Sequence, residues 1–545
     1  MKLTTLAPML CALTALSNPV CFAQGSAPNE VEKLKALLAE QQRQIETLRL
    51  AVAEQQKAIE NLAKPAAQAA TSAPAAPATQ RPLLASSTPM LIPDANPAPN
   101  PRFTPPLPQP EAASPLQLKI GETTIIPIGF MDITGEFRDK NAGGVIGSNF
   151  GSVPYNNAAT AKLSEFRFSP QNSRIGFRMD TNVHGAHVIG YNEFDFLGTS
   201  GANNLGVTNG AFVPRLRLFW VDVRKDQWEI LGGQSWSMMT PNRKQISALP
   251  GDLFYSQVVD VNYVIGLTWT RQPGFRFLYH PSNMVTMGLS LENPDQYMGG
   301  ANGSTAVALP SALASLAGTQ IDNQTNVLTT PNLHPDIIAK LAFDPNSHVH
   351  FEVAGIERTF KDWNPVTNTH FTKAGGGGSI NANFEISKGV RLITNNHFGD
   401  GTGRYIFGNA PDLIVRSDGS ISPVHDKAFV QGIEATVKNT LLYAYYGGLF
   451  IGQNTALDAN GTSLVGYGFK GSSNGQNRSI EEYTLGFNQT IWKDAKWGAL
   501  NYMMQWMYLT RNPWYVASGQ PGGAHDNTVF LNLRYTLPGA PPPAK

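Results

Sequence analysis

The feature that most constrains this chain is how its connections sort by length. From about Ile125 onward, short amphipathic segments alternate between seven tight turns and eight long polar stretches. The short turns fall at Asn182–Gly185, Lys225–Gln227, Pro281–Asn283, Asp344–Ser347, Ser387–Gly389, Lys438–Asn439 and Trp492–Lys496. The long ones are Asp139–Lys162, Gly198–Val213, Ser237–Ile265, Glu292–Pro335, Lys361–Gly376, Asp400–His425, Gly452–Arg478 and Arg511–His525. Seven short and eight long connections join sixteen strands. Turns on one rim and loops on the other are the pattern of a transmembrane barrel, not of a sandwich.

The strand faces point the same way. Successive side chains of a strand point to opposite faces. In Ser173–Gly198, Ile175, Phe177, Phe194 and Phe196 share one face, and Arg174, Arg178, Glu193 and Asp195 the other. Near the C-terminus Val529, Leu531, Leu533 and Tyr535 oppose Asn532 and Arg534. Only 15% of the residues are charged, against a soluble average of about 25%. The net charge of +1 gives no argument for nucleic acid as a partner. After the first 25 residues no apolar run reaches the roughly 20 residues of a spanning helix, so a membrane-spanning chain must close its strands into a barrel. The expected fold is all-β, a 16-stranded antiparallel transmembrane β-barrel over residues 116–538, followed by a short tail, 539–545.

Three segments precede it. Residues 1–23 read as a signal peptide, with Lys2, an apolar Leu6–Leu16 and the Cys21-Phe22-Ala23 site. Both cysteines, Cys11 and Cys21, lie inside it, so a cysteine-free mature chain is expected, with no disulfide or thiolate metal site. Residues 30–64 read as a periplasmic α-helical coiled coil. Val31, Leu38, Ile45, Val52 and Ile59 occupy position a, and Leu34, Gln41, Leu48, Gln55 and Leu62 position d. β-branched a residues with Leu at d suit a dimer, whereas buried Gln layers fit a trimer, where three amides close a ring; a homotrimer is the reading taken. Residues 65–115 are a Pro/Ala-rich linker that builds no core.

Ser173-Arg174-Ile175-Gly176-Phe177, Glu193-Phe194-Asp195-Phe196, Arg215-Leu216-Arg217 and Gly232-Gly233-Gln234-Ser235-Trp236-Ser237 occur in this order. With the heptads and linker before them, they make the region resemble the DcaP-like group of trimeric Gram-negative outer-membrane porins. The resemblance implies a sixteen-stranded, water-filled barrel in the outer membrane, its coiled coil in the periplasm, and bilayer and lipopolysaccharide around it. It also implies that the third long loop, Ser237–Ile265, folds into the lumen; a surface loop is the alternative. One departure is the C-terminus: such barrels usually end on an aromatic, whereas Tyr535 is followed here by Thr536 and LPGAPPPAK.

A porin selects by lumen charge and constriction size, without bond chemistry. Parity puts Arg174, Arg178, Arg215, Arg217, Arg276, Arg358 and Arg391 on the polar strand faces, with Asp132, Glu136, Glu193, Asp195 and Glu352. Arginine's planar fork suits carboxylate and phosphate. The expectation is an arginine ladder admitting small hydrophilic anions, carboxylates above all; the bland reading pairs each arginine with an acid to brace the wall. Arg243, Lys244, Asp252 and Asp260 are the charged candidates in the constriction loop. A phosphate-selective porin would need lumen lysines, and only Lys244 and Lys340 offer themselves. A different class of reading makes the barrel an occluded anchor whose coiled coil contacts the cell wall. No GxSxG, P-loop or HExxH occurs, His348 and His350 lack a third ligand, and neither enzyme activity, metal nor cofactor is expected.

Overall fold

A computed structural model describes residues 115–144, 146–198, 212–254, 257–300, 305–324 and 330–538. The signal segment, the coiled coil, the linker up to residue 114 and the tail 539–545 lie outside the described residues.

The alternating segments form sixteen barrel strands. In chain order they are β1 (Thr123–Arg138), β2 (in two pieces, Glu165–Ser169 and Arg174–Val183), β3 (Ala186–Gly198), β4 (Val213–Lys225), β5 (Trp228–Trp236), β6 (Arg271–Ser282), β7 (Val285–Glu292), β8 (Asp336–Asn346), β9 (Val349–Asn364), β10 (Thr369–Ser387), β11 (Val390–Asp400), β12 (His425–Val437), β13 (Thr440–Ile451), β14 (Asn477–Asp494), β15 (Gly498–Pro513) and β16 (Ala524–Thr536). Each pairs antiparallel with its sequence neighbours, and β16 returns to β1 from Phe130↔Thr536 to Arg138↔Thr528. That closure leaves no open edge for lipid to meet. β1 changes partner at Gly129: beyond it β16 lies alongside, and before it the strand Leu118–Ile120 folds back on Thr123–Ile125. Gly129 has φ +135°, and a Cβ there would sit 2.2 Å from the Arg174 carbonyl oxygen, so the bend requires glycine. No helix of the described residues is long and apolar enough to cross a membrane.

The faces separate as parity dictates. Ile175, Phe177, Met131, Phe219, Phe275, Leu289 and Leu531 are exposed on the outside, while Glu193, Asp195, Arg217, Glu352 and Asn532 are buried inside. All seven short turns appear. One expected loop does not: Lys361–Gly376 is mostly strand, since β9 and β10 pair continuously to Asn364↔Thr369 and leave only residues 365–368 between them. The hairpin carries polar residues on both faces, and above the lipid a strand has no need of an apolar outer face. Polarity there marks water, and sequence reading took it for a loop. The glycine run Gly375–Gly378 lies within this pairing; a Cβ on Gly377 would come 2.5 Å from the Phe398 carbonyl oxygen.

The interior is more filled than a plain water channel. Phe150, Ile265, Leu313, Leu413, Ile414 and Tyr467, from five different connections, join one apolar cluster with inward wall residues such as Met507 and Phe530. The core of this barrel therefore sits between the inward-packed loops and the wall. Two loops carry hairpins of their own, Leu413–Val415 with Ile421–Pro423 and Asn454–Leu457 with Leu464–Tyr467.

Candidate channel constriction

The connection between β5 and β6 folds into the lumen through its described residues, 237–254 and 257–270. A loop placed there has backbone N–H groups without a sheet partner, and each must find an acceptor. The wall supplies them. Met238 donates to Glu292 (2.7 Å), Asn242 to Glu352 (3.2 Å) and Gln245 to Asp344 (2.9 Å). Gln257 donates to the Tyr445 hydroxyl (3.0 Å), Val259 to Gln505 (2.6 Å), Ile265 to Glu482 (2.9 Å) and Thr268 to Asn395 (3.1 Å). These seven acceptors come from β7, β9, β8, β13, β15, β14 and β11, so the loop crosses the lumen against one arc of wall. Arg243 adds a bidentate pair to Glu434 of β12 at 2.8 and 2.9 Å, both side chains buried. Lys244 pairs with Asp252 at 3.0 Å and stays exposed, and Asp260 accepts from the Ser148 N–H at 3.1 Å. All four charged candidates of this loop thus find partners, and only Lys244 remains largely in solvent.

The loop between β11 and β12 enters beside it. Trp269 donates to the Tyr405 carbonyl (2.9 Å), and its ring stacks on Phe407 at 4.5 Å. Arg358, fully buried, ties this loop to the wall: it bridges Asp336 at 3.1 Å and Asp412 at 2.9 Å. Burial pushes the Asp412 carboxyl up to about 6, with Arg358 pulling the other way.

The expected ladder of solvated arginines divides in two. Arg276, Arg358 and Arg243 are buried braces; Arg276 donates to the Trp236 carbonyl at 2.6 Å. Arg178 pairs with Asp180 on its own strand (2.8 Å), Arg391 with Glu385 (3.7 Å) and Glu136 with Arg138 (2.5 Å). The remaining arginines gather on the opposite arc, β16–β1–β2–β3–β4–β6. Arg534 reaches Asp132 at 2.6 Å, Arg174 reaches Glu193 at 3.6 Å, Arg217 joins Glu193 (2.7 Å) and Asp195 (2.8 Å), and Arg215 closes on Asp195 at 2.7 Å. Arg271, at the start of β6, has no carboxylate within salt-bridge distance among the described residues; it lies over Trp236 (5.5 Å) and Trp269 (5.8 Å). Five arginines against Asp132, Glu193 and Asp195 leave an excess of two positive charges. The Arg215 side chain is 39% exposed, so part of that charge faces water. Arg271 escapes the strand pattern because it borders a loop, and Arg534, placed on a polar face by parity, joins the arc only when β16 closes on β1. Among the described residues no three His, Cys, Asp or Glu side chains are placed to hold a metal ion.

The outer-membrane channel DcaP of Acinetobacter baumannii superposes with a TM-score of 0.56 over 77% of this chain and 98% of its own, at 16% identity. The fold is that of a DcaP-like outer-membrane porin. An anion-selective porin from Comamonas acidovorans matches at TM-score 0.41 and 12% identity, over 76% of this chain and all of its own. Salmonella typhi OmpF matches at 0.41 and 9% identity, over 77% of this chain and all of its own. No protein-family model and no curated protein sequence matches the chain.

The extracellular side of this porin fold carries its own acidic pair. Asp295 and Asp322 lie in the connection between β7 and β8, and burial together with Asp295 raises Asp322 to about 7. A carboxyl whose folded-state value lies above its unfolded one binds more protons in the folded state. The loop is therefore tightest below about pH 4 and loosens as pH climbs to about 7. Asp322→Asn is expected to remove that dependence and to tighten the loop at neutral pH by about 1 kcal/mol, read as slower proteolytic nicking.

Proposed function

We propose that this protein is an outer-membrane porin through which small hydrophilic anions of the carboxylate class diffuse passively, without catalysis. The observation that carries the reading is the unbalanced arginine arc opposite the inward loop, with Arg215 as its partly exposed charge and Arg271 half-buried against Trp236 and Trp269. Mixed charge across a narrow lumen sets up a transverse field, and an excess on one wall biases which ion crosses. Arginine forks offer two parallel donors to a carboxylate. The pore-lining set is then Arg174, Arg215, Arg217, Arg271 and Arg534, with Arg178 neutralised by Asp180. The phosphate reading is weaker here, since Lys340 is fully buried on Glu352 at 2.9 Å.

The assembly belongs to the same proposal: three copies in the bilayer, joined through the heptads at 30–64 in the periplasm. Three equal conductance steps per inserted particle test it. Single steps only, from protein that runs as a monomer in detergent, would refute it.

A second reading has an observation behind it. The connections pack into one apolar cluster with the inward wall, as an occluded anchor that contacts the cell wall would require. Conductance separates the two: a sealed barrel passes no current in a planar bilayer.

A further inference from the structure

We propose that His350 is a positioning residue that clamps the tip of the inward loop, so that the protonation of one imidazole sets how firmly the constriction is held. This rests on the reading of residues 237–270 as the constriction.

The geometry is a closed network. His350 projects inward from β9 and is buried. Its Nδ1 lies 2.9 Å from Asp344 of β8 and its Nε2 lies 3.2 Å from Glu352 of β9. The same two carboxylates hold the loop tip: Asp344 accepts from the Gln245 N–H, and Glu352 from the Asn242 N–H. Lys340 completes it, donating to Glu352, to the Thr240 carbonyl and to the Asn242 side chain, each at 2.9 Å. A neutral imidazole donates from one nitrogen and presents a lone pair on the other; only the imidazolium donates from both. With His350 charged, two cations face two carboxylates and every tip contact is satisfied. With it neutral, a lone pair meets a carboxylate and one negative charge is left over beneath the loop.

No other charge takes its place. On β10 the neighbours are Asn381, which donates to Glu352, and Asn383, which donates to the Arg243 carbonyl. In the loop, Arg243 is held by Glu434 and Lys244 by Asp252. At the rim His348 and Arg391 both face Glu385.

The test is single-channel recording of the full-length protein in a planar bilayer at about pH 6 and about pH 9, a span over which histidine can lose its second proton. Wild type is expected to show a roughly tenfold rise in the frequency of brief current fluctuations at the higher pH, the consequence of about 1.4 kcal/mol lost from the clamp. His350→Gln, with its fold checked by heat-modifiable gel migration, is expected to fluctuate at the higher frequency at both values. The wild-type titration stands by itself if the variant does not fold. A conducting wild type with no change between the two values overturns the clamp, as does a folded His350→Gln that keeps the wild-type profile. A wild type that passes no current overturns instead the channel reading beneath it.

Discussion

Arg243→Ala is expected to release the tip of the constriction loop and roughly double the single-channel conductance, because the loop limits the aperture of a barrel otherwise wide enough for a water channel. The buried pair it breaks is bidentate, with Glu434 also accepting from the Tyr445 hydroxyl at 2.5 Å. Removing one partner of a buried ion pair leaves the other charge uncompensated, at a cost of about 3–5 kcal/mol. The surrounding barrel keeps its continuous hydrogen-bond ladder, so the strain is relieved by movement of the loop. Arg243→Lys retains the charge and loses the fork, so it should fall between wild type and alanine. Conductance and thermal unfolding of the same preparations check this. A conductance unchanged in Arg243→Ala would mean that residues 237–270 do not limit the pore.

The second large effect is on selectivity. The arginine arc carries an excess of two positive charges, and each arginine-to-glutamate change removes two. Arg271→Glu alone is therefore expected to abolish the preference for anions, and Arg215→Glu with Arg271→Glu to reverse it. Arg215 does not anchor the loop, although it shares Asp195 with Arg217, whereas Arg271 lies over Trp269 of the loop at 5.8 Å; the double variant is therefore read by its reversal potential, which should change sign. Arg276→Glu is the contrast: its guanidinium is buried against the Trp236 carbonyl, and the change should cost folding without a selective effect on ions.

The barrel was legible in the sequence because lipid and water impose a period of two on every spanning strand. Ile175 and Phe177 against Arg174 and Arg178 could settle on no other arrangement once the turns and loops were sorted. The β9–β10 hairpin was misread because that constraint ends where the bilayer ends. The lumen was less legible for a different reason. Inward acids such as Glu352, Glu434 and Glu482 look like pore charges in a strand pattern, yet they serve as acceptors for a loop some 100 to 220 residues away in the chain. Whether Arg358 faces water or Asp412 depends on where the loop at 401–424 packs, and local periodicity carries no information about that. Arg217, Glu193 and Asp195 meet because β3 and β4 are strand neighbours whose polar faces parity already assigns. Arg271 needed the barrel to close before its isolation from carboxylates became visible.

The most direct test of the account is the reversal potential of the purified protein in a planar bilayer under a salt gradient. Open channels with a reversal potential on the anion side are expected, moved toward zero by Arg271→Glu. A barrel that conducts no ions, or one strictly selective for cations, would contradict it.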